Sequence, residues 1–231
     1  MLEQFLFVGL PYAAIVALVA GLVYRHRAQR YGVSALPSQF LESRRLLWGA
    51  VPWHIGILIV LLGHIVALAW PGVWQDLTAS YTRLVVVESI GGAAATLALV
   101  GLAVLTLRRI TLARLQPVTT VMDFVLLALL LVQVITGLGI AHAHRWGSAW
   151  ATQTLSPYLW GVLTLRPDAT LVTGLPALVQ VHVVAAWLFV LIIPFSRLVH
   201  MFSLPLRYLV RAPQKVVWAT ARHFERNRAA R

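Results

Sequence analysis

Five long apolar runs separated by polar segments set the pattern of the chain. They cover about residues 5–24, 48–70, 85–107, 120–141 and 178–202. Each is close to the ~20 residues that a helix needs to cross a bilayer. The runs are continuous rather than alternating, so they predict helices and not the strands of a transmembrane barrel. The expected fold class is all-α: an integral membrane bundle of five transmembrane helices, one domain over residues 1–231 with a basic tail over 205–231. The polar punctuation agrees. Trp70-Pro71-Gly72 closes the second run, and Thr119, Thr120 and Asp123 suit a helix N-terminus before the fourth. Small residues from Gly91 to Ala95 permit close helix approach at the start of the third. The longest connection, His142 to Pro176, carries Trp146, Trp150, Pro157, Trp160 and Pro167. It reads as an aromatic belt or lid at the bilayer surface.

Composition narrows the class. The chain is 60% hydrophobic and 11% charged, too apolar for an ordinary soluble domain. A net charge of +12 would suit nucleic acid if the basic residues lay together. Instead they sort by loop: sixteen of the nineteen fall after the first, third and fifth runs. Only Arg83, Arg145 and Arg166 fall on the other side. The positive-inside rule then expects the N-terminus outside and the C-terminus in the cytoplasm, with membrane lipid and no nucleic acid as partner. No basic region precedes the first run, which therefore reads as a retained span rather than a cleaved signal. No internal repeat of the kind found in transporters is evident. Cysteine is absent, which excludes disulfides, cysteine-held iron–sulfur clusters and covalent haem attachment on this chain.

Four histidines interrupt the apolar runs: His54 and His64 in the second, His182 and His200 in the fifth. Ionisable or metal-binding residues at membrane depth are functional candidates by default. The two spans run antiparallel, so depth pairs His64 with His182 near the outer side and His54 with His200 near the cytoplasm. Ten residues separate the first two, about 15 Å of helix; eighteen separate the second two, about 27 Å. Eighteen residues are five turns, which puts His182 and His200 on one face of a continuous helix; a bend at Pro194 is expected to absorb the unequal rise. Zinc prefers three or four ligands at one point. Two pairs at two depths fit two non-covalent haems better, each held between imidazoles, with Gly56 and Gly63 as places where a flat macrocycle approaches the backbone. Single structural histidines bonded to carbonyls are the plainer alternative. His142 and His144 form a His-x-His that reads as a solvated pair, and His26 and His223 lie among arginines outside the spans.

At these residues the chain resembles the γ subunit of respiratory nitrate reductase, a membrane cytochrome b with two haem b groups. The matching stretches are His54-Ile55-Gly56-Ile57-Leu58, Gly63-His64, Gly91-Gly92-Ala93, Thr119-Thr120 with Asp123, and Pro194-Phe195-Ser196-Arg197-Leu198-Val199-His200. The resemblance implies that His54 and His200 ligate the inner haem and His64 and His182 the outer one. It implies a quinol site beside the outer haem, where a lysine of the family aligns with Arg83. Gly63, His64, Arg83 and Glu88 are the candidate quinol residues. Glu88 is either a proton acceptor or, more simply, the ion-pair partner of Arg83. Arg197, among Arg44, Arg45 and Arg109, is the foremost candidate propionate partner.

The function implied is quinol oxidation at the outer leaflet in the cell inner (cytoplasmic) membrane, with protons released outside. Electrons would pass to a cytoplasmic iron–sulfur beta subunit and a molybdenum-containing alpha subunit; the nitrate-reducing centre is not on this chain. Alternatives are the same scaffold serving another oxyanion or a sulfur or disulfide redox complex, and a haem-free anchor or transporter.

Overall fold

The computed structural model describes residues 1–28 and 44–201, without the side chains of residues 44–46, 114, 118 and 200. The interhelical arginines Arg30, Arg44 and Arg45, together with His223 and the basic tail, therefore lie outside the described residues or side chains. Every regular element among the described residues is helical. Five helices are long and apolar enough to cross a membrane, at or near the expected places: Leu2–Ala28, Leu47–Ala69, Tyr81–Thr111, Val121–Ala143 and Ala177–Phe195.

In chain order the elements are α1 (Leu2–Ala28), α2 (Arg44–Ala69), α3 (Pro71–Leu77), α4 (Tyr81–Thr111), α5 (Val121–Ala143), α6 (Gly147–Leu163), α7 (Thr170–Thr173) and α8 (Ala177–Ile192). The starts follow from local chemistry. Pro71 opens α3, where its missing N–H costs nothing. Ser80 caps α4 through the Arg83 N–H. Thr120 and Asp123 form the capping box of α5, as their sequence positions suggest. Asp168 accepts the Thr170 N–H at 2.9 Å at the head of α7, and these bonds hold its carboxyl below the ordinary aspartate range.

The connection from His142 to Pro176 is not a loop. About half of it is α6, a 17-residue helix that buries Thr152, Ser156, Tyr158 and Val162. It is fastened to the C-terminal end of α2, where Ser156 Oγ and Trp160 Nε1 both donate to Leu68 O, at 2.8 and 3.1 Å. Tyr158 donates to Phe7 O at 2.9 Å and accepts from Trp187 Nε1 at 3.2 Å, which joins α6 to α1 and α8.

The packing order is α1 on α8, α8 on α5, α5 on α4 and α4 on α2. Two cores support it. Phe7, Tyr158, Val162, Val172, Val179 and Val183 form one, and Leu102, Leu130 and Val134 the other. The α2–α4 contact is made through small residues. A Cβ on Gly56 would collide with Ala94 O and Ala98, and one on Gly101 with Trp53 and Gly49 O. Gly56 thus admits a neighbouring helix, not a macrocycle. Gly91 and Gly92 face open space, so close approach in α4 belongs to Ala94, Ala98 and Gly101 instead. α2 and α8, the two ends of the α2–α4–α5–α8 row, make no extended packing contact.

The fifth run does not continue as one helix to residue 202. The α-helix ends at Ile192, a 3-10 turn spans Ile193–Phe195, Ser196 is extended (φ −110°, ψ 176°), and a second 3-10 turn spans Arg197–Met201. Pro194 stands at the start of the first turn, where it ends the α-helix rather than bending it. His182 and His200 therefore do not share one helix face. From His182 the α-helix continues ten residues, about 15 Å, the same as the span from His54 to His64.

Candidate functional site

The site grows from the open seam between α2 and α8. His54 and His64 each sit on α2 with Nδ1 against the carbonyl one turn back, Ala50 O at 2.7 Å and Val60 O at 2.8 Å. A carbonyl only accepts, so Nδ1 carries the proton and Nε2 the lone pair. Both residues are exposed on the protein surface of α2, and neither has a role in the α2–α4 contact.

His182 faces the seam from α8. Its Nδ1 lies 2.9 Å from Thr136 Oγ1, and the Thr136 hydroxyl lies 2.7 Å from Val132 O. Its Nε2 lies 3.0 Å from Gln133 Nε2. A Cβ on Gly137 would come within 3.2 Å of His182 Cε1, so the glycine leaves the ring its room. Across the seam the His64 and His182 ring centroids are 6.3 Å apart, with planes inclined by 36°. His64 and His182, the pair anticipated from depth, are thus brought together near the Ala69 end of α2. Of the other pair, His54 is placed as above and His200 stands in the turn Arg197–Met201, with its side chain outside the description.

Three contacts fix that turn. Pro194 packs against Gly21, Arg25 Nη1 reaches Ser196 O at 3.5 Å, and Arg197 Nε meets Asp123 Oδ1 at 2.9 Å. Asp123 is buried and also takes Arg109 Nη1 at 3.2 Å on Oδ2. Of the propionate candidates, Arg197 and Arg109 therefore both engage a protein carboxylate.

One residue before His64, Gly63 lies under the Trp74 indole, 3.5 Å from an added Cβ to Cη2. Trp74 Nε1 donates to Ser148 O at 2.9 Å, and the Ser148 N–H donates to Glu88 Oε1 at 3.2 Å. These contacts link Glu88 to Gly63 and the turn of α2 that carries His64. Arg83 is exposed and bonds Ser80 Oγ at 3.2 Å. The expected Arg83–Glu88 ion pair is absent among the described residues. Five residues along a helix turn the two side chains about 140° apart, so they cannot face each other. His142 is exposed and bonds Leu138 O, as for a solvated residue. Among the described residues no three or more His, Cys, Asp or Glu side chains gather as a metal site.

The profile of the nitrate reductase gamma subunit family matches residues 3–219. The chain belongs to the nitrate reductase gamma subunit family. It is 31% identical over 217 residues to the nitrate reductase gamma chain of Bacillus subtilis (strain 168), covering 92% of this chain and 96% of that one. It is 30% identical over 227 residues to the respiratory nitrate reductase 1 gamma chain of Escherichia coli (strain K12), covering 96% and 99%. A longer relative, the nitrate reductase-like protein NarX of Mycobacterium tuberculosis (strain ATCC 25618 / H37Rv), is 30% identical over 224 residues. That stretch is 91% of this chain and 33% of NarX. The resemblance drawn from the histidine and arginine stretches is borne out, and the chain is a membrane subunit of a nitrate reductase, a multi-subunit oxidoreductase.

Three residues of this gamma subunit escaped the sequence reading: Gln133, Thr136 and Gly137 on α5, all of which touch His182. A signal was available. Gln133 and Thr136 are the polar side chains in the middle of the fourth run, three apart, hence on one face. Gln133 Oε1 is buried without a hydrogen-bond partner.

Proposed function

We propose that this gamma subunit is a di-haem cytochrome b. It oxidises quinol at the outer leaflet, releases the protons outside, and delivers the electrons to a cytoplasmic iron–sulfur beta subunit. A molybdenum-containing alpha subunit reduces the nitrate. The observation that carries the reading is the His64–His182 pair, two imidazoles 6.3 Å apart on helices that do not otherwise pack together. Two imidazoles on opposite sides of one metal ion need a centroid separation of roughly 6 Å, given metal–nitrogen bonds of about 2.0 Å and about 1.1 Å from nitrogen to centroid. In both residues Nδ1 is engaged and Nε2 is the nitrogen with the lone pair. The donor set therefore fits a haem iron.

His64 and His182 would hold the outer haem and His54 and His200 the inner one, with Arg197 a candidate for a propionate beside its bond to Asp123. Each haem held in this way would supply a one-electron carrier. Quinol binding falls to Gly63, His64, Arg83 and Glu88. Glu88 engages Ser148 through Oε1, which leaves Oε2 to take a quinol proton. Arg83 contributes positive charge at the exposed start of α4. An arginine fork does not replace an ammonium atom for atom, so its part is electrostatic.

The distribution of basic residues supports an outside N-terminus and a cytoplasmic C-terminus in the cell inner membrane. Without cysteine, this chain leaves every cysteine-held cluster to its partners. Inward electron movement against an inside-negative potential costs about 2.3 kcal/mol per 100 mV, which the redox drop must exceed.

The test is the absorption spectrum of the purified chain: low-spin b-type bands and two haems per chain are expected, and a colourless preparation ends the reading. Changing His64 or His182 is expected to remove one haem and quinol oxidation. Changing His54 or His200 is expected to remove the other haem. In sealed vesicles, quinol oxidation acidifies the outside; proton uptake from the inside instead would overturn the orientation.

A further inference from the structure

The described membrane histidines fix Nδ1 in two different ways. His54 and His64 reach one turn back along their own helix, so their orientation comes with α2 itself. His182 instead depends on a second helix. The Thr136 hydroxyl has one proton, and Val132 O at 2.7 Å can only accept it. The hydroxyl oxygen is then the acceptor for the His182 Nδ1–H at 2.9 Å. That leaves the lone pair on Nε2, where the Gln133 amide donates at 3.0 Å while its own Oε1 stays buried and unpartnered. A buried polar atom without a partner is destabilising. The Thr136 bond is thus the settled half of the arrangement. The Gln133 bond occupies the nitrogen that a metal would take.

We infer that Thr136 is the positioning residue of the outer redox site, holding the tautomer and tilt of His182 and raising its electron donation through Nδ1–H. Partners of this kind orient a ligating imidazole and increase its basicity. The inference rests on the haem reading above. It assigns to α5, which bears none of the four histidines, control over one of the two sites.

The experiment compares wild type, Thr136→Val and Thr136→Ser in the intact nitrate reductase complex. Each haem is titrated spectroscopically against potential, and its low-spin electron paramagnetic resonance signal is recorded. Valine matches threonine in shape and lacks the acceptor. In Thr136→Val the outer haem should favour its reduced form by roughly tenfold, a rise of about 59 mV for a one-electron couple, with altered resonance positions. The inner haem should stay at its wild-type values, and Thr136→Ser should restore the outer one. Loss of the outer haem in Thr136→Val with retention in Thr136→Ser supports the inference equally. Wild-type potentials and resonances in a two-haem Thr136→Val complex overturn it, as does equal disturbance by valine and serine. A wild-type complex whose gamma subunit lacks haem overturns the functional reading and this inference with it.

Discussion

Gly56 offers a sharp test of how α2 is held. A methyl group built on it would stand 2.6 Å from Ala98 N and 2.9 Å from Ala98 Cβ, and nearer still to Ala94 O. These atoms are the backbone of α4 or fixed to it, so no side-chain rotation makes room. Carbon contacts normally lie at about 3.5–4.0 Å, so the helices must part locally by roughly 1 Å. A gap of that size forfeits about a quarter to a half of each dispersion contact beside it. Between membrane helices packing is the main attraction, because lipid is as apolar as the side chains. Overpacking costs about 1–3 kcal/mol, against at most about 1 kcal/mol from the better helix propensity of alanine. Gly56→Ala should therefore lose on the order of 1–2 kcal/mol. Gly63→Ala is the control, since its new Cβ would meet only the Trp74 ring at 3.5 Å, an ordinary contact. Its stability should stay level or rise by up to about 1 kcal/mol through helix propensity. Both are read by detergent-induced unfolding of the purified chain, followed by helical circular dichroism. A Gly56→Ala protein as stable as wild type, or a Gly63→Ala protein equally weakened, would refute the reasoning.

Three further substitutions, at two positions, probe the rest of the bundle. Asp123→Ala leaves the Arg109 and Arg197 guanidinium groups without the buried carboxylate between them and removes a helix cap, and should cost about 3–5 kcal/mol in the same unfolding assay. Asp123→Asn keeps an acceptor for the Thr120 N–H and should lose less; equal loss would show that charge is irrelevant there. Tyr158→Phe removes the bond to Phe7 O and the acceptor for Trp187, at a cost of about 1–2 kcal/mol. Burial pushes the Tyr158 hydroxyl up to about 12 from 10, so the unfolded chain loses this proton first. Stability should fall as pH rises from 10 to 12 in wild type, and this fall should be smaller in Tyr158→Phe; identical pH profiles would count against the buried phenol.

The spans and their caps could be read directly, because a membrane helix must satisfy its backbone internally over a fixed length of apolar sequence. Depth pairing of His64 with His182 needed only span order and direction. The end of α8 was hidden, because Ile192, Ile193 and Phe195 continue its apolar run and Pro194 fits either a bend or a stop. The wrong role for Gly56 has a similar cause. A glycine admits any close neighbour, and only the facing Ala94 and Ala98 decide which. Arg83 and Glu88 attract each other on paper, but helical phase keeps them apart and Ser148 supplies the partner of Glu88. Thr136 was overlooked because its meaning depends on the helix opposite, and neighbour identity is not written into the fourth run itself.

The seam between α2 and α8 has a consequence for biogenesis. α2 is held by α4 on one side and by α6 across its Ala69 end, and α8 is held by α1 and α5. Between α2 and α8 the His64–His182 ring pair stands without an extended packing contact. On the haem reading proposed above, a flat prosthetic group would enter that seam without parting these packed pairs, and insertion of the spans and loading of the seam would be separable steps, in an order that lets the membrane scaffold form before it is charged.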